Sequence, residues 1–232
     1  MICRWTISFL YFFGLLCCTT ARAEILPLVE RAARPEVMFG APAAFDSLLR
    51  RISAGGAGSA SELLELADTP WAWRFEVVRQ GLERIGEPAR MAVLHRLDEK
   101  GRTESETARL LVLFEKLGQV GDESCLAAYL RGESRAVTVP ALRCLAAFGE
   151  PEKSLELVQP LLGDEDPHVR LAAVWTVGEL IRRQPPAGKK AERLIESVRP
   201  LLDDPVLQIR LTAAGCLQVH GSTPAPSLLR RQ

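Results

Sequence analysis

A surplus of charge is missing from this chain. In 232 residues, 29 Lys and Arg balance 29 Asp and Glu. Proteins that grip phosphate backbones usually carry a clear basic excess, so the balance argues against a nucleic-acid partner. Aromatics are scarce while small apolar residues abound, a mixture that suits closely packed helices. The motifs of phosphate loops, nucleophile elbows, zinc proteases and dinucleotide sites are all missing. His95, His168 and His220 are isolated, and none has the i, i+4 histidine partner of a metal site or an HExxH neighbourhood. No CxxC pair occurs. The acidic run Asp164-Glu165-Asp166 lacks the ligand ladder of a calcium loop and reads as a solvated turn. No catalytic residue, metal ligand or cofactor is therefore expected.

Long apolar runs are also missing beyond residue 18. Before it, Arg4 precedes a largely apolar fourteen-residue stretch at 5–18, and Ala21-Arg22-Ala23 follows. That is the three-part pattern of a secretory signal, with Glu24 as the first mature residue. The run is short for a permanent span. Two alternatives stay open: an uncleaved N-terminal anchor, and a lipid on Cys17 or Cys18, against which Leu16 stands where a small residue is wanted. Removal of residues 1–23 leaves 27 basic and 29 acidic side chains. The expectation is an exported protein, periplasmic or secreted, without stable membrane insertion once the signal is gone. Cys125, Cys144 and Cys216 remain, an odd number that leaves at least one unpaired. They read as small buried apolar residues.

What the chain does have is recurrence. Residues 74–86 (RFEVVRQGLERIG), 109–121 (RLLVLFEKLGQVG), 137–149 (VTVPALRCLAAFG) and 209–221 (IRLTAAGCLQVHG) share a pattern and a closing Gly. A further copy, 169–181 (VRLAAVWTVGELI), ends on Ile181. Successive copies step by 35, 28, 32 and 40 residues. Helix-forming repeats of roughly 30–45 residues predict an all-α solenoid. A closing Gly suits a left-handed helix cap, and the acid and Pro that often follow start the next helix. First helices are expected near 88–99, 122–131, 151–162 and 190–202.

Ahead of the repeats, a short helix is expected at 25–33. Residues 42–53 carry Phe45, Leu48, Leu49 and Ile52 at amphipathic spacing. AGGAGSA at 54–60 reads as a flexible break, with Ser61 capping a helix over 62–67. The expected division is a signal at 1–23, a helical lead-in at 24–70, repeats at 71–221 and a tail at 222–232.

Gly149 to Ile181, GEPEKSLELVQPLLGDEDPHVRLAAVWTVGELI, closely resembles the HEAT-like repeat of the phycobilisome-lyase type. The shared features are the Gly-acid-Pro start, the Leu-Leu ending of the first helix, the acidic turn, Val-Arg and the Ala-rich second helix. Residues 121–149 match more loosely, with Thr138 where Arg is usual. Residues 161–170 and 201–210 align without a gap, and Asp164 and Asp204 each precede an Arg, Arg170 and Arg210, by six residues. The resemblance implies that these Asp and Arg residues link neighbouring repeats. It also implies a right-handed superhelix of about five helix pairs whose second helices line a concave binding face. The insertion RRQPPAGKK at 182–190 falls on a repeat boundary.

Position seven of the window should face solvent on that side. It holds Gln80, Glu115, Arg143, Trp175 and Gly215. Trp175 is the odd member: either an anchor for a partner or a ring packed on the insertion or on Gly215. Arg143 and Leu171 share its face. Trp71 and Trp73 are expected to staple a helix end or seal the solenoid, the alternative being a ligand contact. The function expected is a non-catalytic protein-interaction scaffold whose protein partner is unknown. The rivals are an enzyme or enzyme accessory of the bilin-lyase-like kind, and a structural envelope protein held by its N-terminus.

Overall fold

The computed structural model describes residues 25–132, 134–184 and 189–219. The proposed signal and its cleavage site, His220, Gly221, the centre of the insertion and the tail lie outside them. The fold is all-α. Of the described residues, those up to 101 form one compact unit and those from 102 another.

In the first unit, α1 (residues 25–32) and α2 (Pro35–Met38) precede α3 (Pro42–Ser53), α4 (Ala57–Leu66), α5 (Ala72–Ile85) and α6 (Glu87–Asp98). The amphipathic stripe of α3 buries Leu48, Leu49 and Ile52 against α5. The glycine-rich stretch is less of a break than expected. Only residues 54–56 interrupt the helices, because Ser59, Ala60 and Leu63 form one buried face that extends α4 backwards. Ser61 is thus inside α4, where its hydroxyl donates to the Ala57 carbonyl at 3.3 Å, and it caps nothing. Gly81 is small for a packing reason: an added Cβ would stand 3.0 Å from Leu63 and 3.3 Å from Ile52. Gly86 ends α5 with a φ of 74° and a ψ of −125°, a backbone that favours glycine but is not the left-handed helical cap expected. Trp73 does staple, packing edge-on to Phe39 with ring centroids 5.2 Å apart. Trp71 does not: 67% of it is exposed.

The second unit contains α7 (Glu104–Leu117), α8 (Glu123–Leu130), α9 (Arg135–Phe148), α10 (Pro151–Val158), α11 (Pro167–Arg183), α12 (Lys189–Val198) and α13 (Leu207–Val219). The longer helices α7, α9, α11 and α13 pack each on the next, and α8, α10 and α12 lie on their partners. Thr103 opens α7 by accepting from the Glu106 amide at 3.1 Å. Asp166 opens α11 by accepting from the His168 amide at 2.8 Å, with Pro167 supplying the first helical residue. The tails of α10 and α12 tighten into 3-10 turns, Gln159–Gly163 and Arg199–Asp203, which bury paired leucines in each case.

Gly121 has a φ of 107°, but the glycines that end α7 and α9 serve packing rather than backbone conformation. Gly118 and Gly149 cap α7 and α9 with φ of −63° and −58°. A Cβ on Gly118 would overlap the Phe148 ring, which packs edge-on to Phe114 at 5.1 Å. A Cβ on Gly149 would collide with the Ser154 hydroxyl and approach the Leu145 carbonyl to 2.8 Å.

Candidate functional site

Two rows of polar contacts set the register between repeats. The buried Cys144 thiol donates to the Leu111 carbonyl at 3.1 Å. One repeat on, the Thr176 hydroxyl donates to the Leu142 carbonyl at 3.2 Å. Together with the end of α7 at Leu117, these contacts make 106–118 the structural equivalent of 137–149. The window at 109–121 is therefore three residues late. Val112, not Glu115, occupies its seventh position. Two glycines three apart, Gly118 and Gly121, made the choice ambiguous in sequence.

The repeat turns are built alike. Asp164 Oδ1 accepts from the Asp166 amide at 2.8 Å, and Asp204 Oδ1 accepts from the Val206 amide at the same distance. Arg170 donates to the Asp164 and Glu165 carbonyls at 2.8 and 3.0 Å. Arg210 donates to the Asp204 and Pro205 carbonyls at 2.8 and 3.1 Å. Each Arg thus ties the acidic turn of its own repeat through backbone oxygens. The carboxylate contact runs to the next repeat: Arg170 donates to Asp204 Oδ2 at 2.8 Å and Oδ1 at 3.3 Å. Burial works against the Asp204 charge, but the Arg170 hydrogen bonds and the Val206 amide hold its carboxyl below the ordinary value. Thr138, standing where Arg170 stands one repeat on, donates to the Tyr129 carbonyl at 3.2 Å and ties α9 to α8.

One further link had no sequence signal. Arg183, at the end of α11, donates to the Leu145, Ala147 and Gly149 carbonyls at 3.1, 3.3 and 2.9 Å. These carbonyls lie at the end of α9, and the Leu145 oxygen also accepts from the Gly149 amide at 3.0 Å. Because α11 has no closing Gly, it runs two residues past its window and brings Arg183 there.

Apart from Val120, exposed between α7 and α8, the large exposed apolar side chains described in this unit lie on α11, just before the start of α13 and along it. Trp175 is 44% exposed. A Cβ built on Gly215 would meet nothing within 4 Å, so the Trp175 ring is not seated against that glycine face. Leu171, half-buried, lies one turn before Trp175. On α13, Leu207 and Leu211 are one turn apart and 53% and 50% exposed. Leu211 was missed in sequence, although it is aligned with Leu171 in the gapless comparison of the two repeats. Arg143 is exposed on α9 and ion-paired, its Nε 3.0 Å from Glu115 Oε2. Trp175, Leu171 and Leu211 thus lie on two helices packed together, while Arg143 lies on the helix before them.

Comparison with known proteins agrees with the repeat geometry. Residues 123–218 match the family model described as HEAT repeats. That stretch carries HEAT-like repeats. No curated protein sequence matches it. Among solved structures, a designed armadillo repeat protein in complex with a (KR)4 peptide aligns over 85% of this chain and 99% of its own, at 17% identity and a TM-score of 0.49. Among the described residues, no three His, Cys, Asp or Glu side chains are grouped to hold a metal ion. Among them, too, no helix is long and apolar enough to cross a membrane.

Proposed function

We propose that this protein is an exported, non-catalytic scaffold that binds a protein partner through the concave face formed by its second helices. Trp175 carries the reading: a large ring stands 44% exposed on a well-packed helix. Leu171 and Leu211 extend the apolar area, and the Arg143–Glu115 pair supplies a polar margin. Aromatic anchors with a polar rim are the usual energetic centre of a protein interface. Export rests on the sequence of residues 1–23 and gives a periplasmic or secreted location. The narrower kinship, with phycobilisome-lyase-type repeats, rests on the motif at 149–181.

Trp175→Ala tests the site. At a true anchor the change weakens partner binding by about 2 kcal/mol or more and leaves the melting curve nearly unchanged. A variant that melts several degrees lower while recovering the same partners from envelope extract makes Trp175 a packing residue. Intact-mass measurement of the native protein tests export: a chain beginning at Glu24 is expected. A full-length mass, or a lipid on Cys17 or Cys18, contradicts it.

A further inference from the structure

The first unit holds a recess that the repeat face does not use. A cavity of about 480 Å³ opens between the end of α1, the start of α2 and the start of α5. Trp71, Trp73 and Pro35 supply its apolar walls, and Glu30, Arg34 and Arg74 its polar groups. Trp71 is the most exposed of these rings, and Trp73 is held from behind by Phe39. Burying little and capping nothing, Trp71 has no evident structural task at the start of α5.

The charges of the recess do not cancel. Arg74 pairs with Glu30 at 3.2 Å. Arg34 is exposed and makes no side-chain hydrogen bond or ion pair with any described residue. Among the described residues, one guanidinium of the lining that includes the two indoles is therefore left without a carboxylate partner. That combination disfavours a cationic ligand, which the indole faces would otherwise attract. It favours a ligand with flat apolar surface and a negative charge.

We propose that this recess binds a proline-rich, acidic segment of a partner protein. Prolyl rings in the polyproline II conformation dock in aromatic-lined grooves at little conformational cost, because the segment is already extended. Trp71 and Trp73 offer such a lining, and Arg34 takes a carboxylate from the same segment. A membrane surface fits less well. Interfacial binding uses rings and cations spread over one outer face, whereas these rings line a recess.

The test uses the purified protein and three fluorescein-labelled dodecapeptides read by anisotropy: (Pro-Pro-Glu)4, (Pro-Pro-Lys)4 and (Gly-Ser-Glu)4. The Pro-Glu peptide should bind at least about tenfold tighter than either control. Trp71→Ala should weaken it about tenfold, and Arg34→Glu should shift the preference toward the Lys peptide. Both side chains are exposed, so both variants should melt with the wild type. If either melts early, the wild-type order among the three peptides still decides. Equal binding of the Gly-Ser-Glu peptide, or indifference to Trp71→Ala, overturns the proposal. So does co-sedimentation with phosphatidylglycerol vesicles in the absence of any peptide preference.

Discussion

The Arg183 guanidinium donates to the Gly149 carbonyl at 2.9 Å and so caps α9 from the end of α11. Two other carbonyls of that helix end share the same group. One side chain therefore does for the neighbouring helix what a left-handed cap does for an isolated one. Arg183→Ala removes the donor and leaves the carbonyls of a packed helix end to water. A loss of about 1–3 kcal/mol in denaturant unfolding is expected, with partial recovery in Arg183→Lys. Unchanged stability would mean that water replaces the guanidinium without cost.

Arg170 and Asp204 join consecutive repeats with partly buried side chains. Arg170→Ala strips Asp204 of its strongest partner, though the Val206 amide remains. The expected cost is about 1–3 kcal/mol. The pair also has a pH signature. The unfolded chain protonates Asp204 near the ordinary value of 3.8, while the folded chain holds it ionised to lower pH. Its contribution is complete above that ordinary value and is lost as pH falls through the folded one. The stability gap between wild type and Asp204→Asn should therefore close in acid. A gap independent of pH would contradict the pairing.

Gly118→Ala tests the packing account of the closing glycines. Its φ is ordinary, so backbone preference predicts a small effect or a gain. Overlap with the Phe148 ring predicts a loss of about 1–3 kcal/mol. Gly163→Ala is the control, because a Cβ there meets nothing within 4 Å. Equal melting of the two variants would refute the steric reading.

The cysteines should be unreactive in the folded protein. Burial pushes Cys125 and Cys216 up to about 11 and Cys144 higher still. Thiolate is the reactive form, so alkylation at pH 8 should be slow at all three. Mass mapping of labelled peptides, with and without denaturant, measures this. Rapid labelling of Cys144 without denaturant would contradict its placement against the Leu111 carbonyl.

The helix pairs were legible because Pro and Gly punctuate them and apolar residues recur at helical spacing. Helix α3 and the first helices α6, α8, α10 and α12 fall within a few residues of their expected bounds. What escaped depends on distance along the chain. The three-residue slip in α7 came from two glycines that compete as the closing residue. Arg183 caps a helix 34 residues earlier, and no local pattern marks such a partner. The glycine-rich stretch looked like a break because Ser59 and Ala60 become helical only when they pack with Leu63. Trp175 was singled out in sequence as the misfit at its position. Leu211 was not, since a leucine in a helical repeat passes for core.

The central claim is that the α11–α13 surface meets a protein partner. Site-specific photo-crosslinking in the native host tests it most directly. A photoreactive residue replaces Trp175 or Leu211 in turn, and replaces Glu156, exposed on α10, as a control. The account predicts the same discrete adduct from positions 175 and 211 and none from 156. Adducts from 156 alone, or none from 175 and 211 while the protein remains folded, would contradict it.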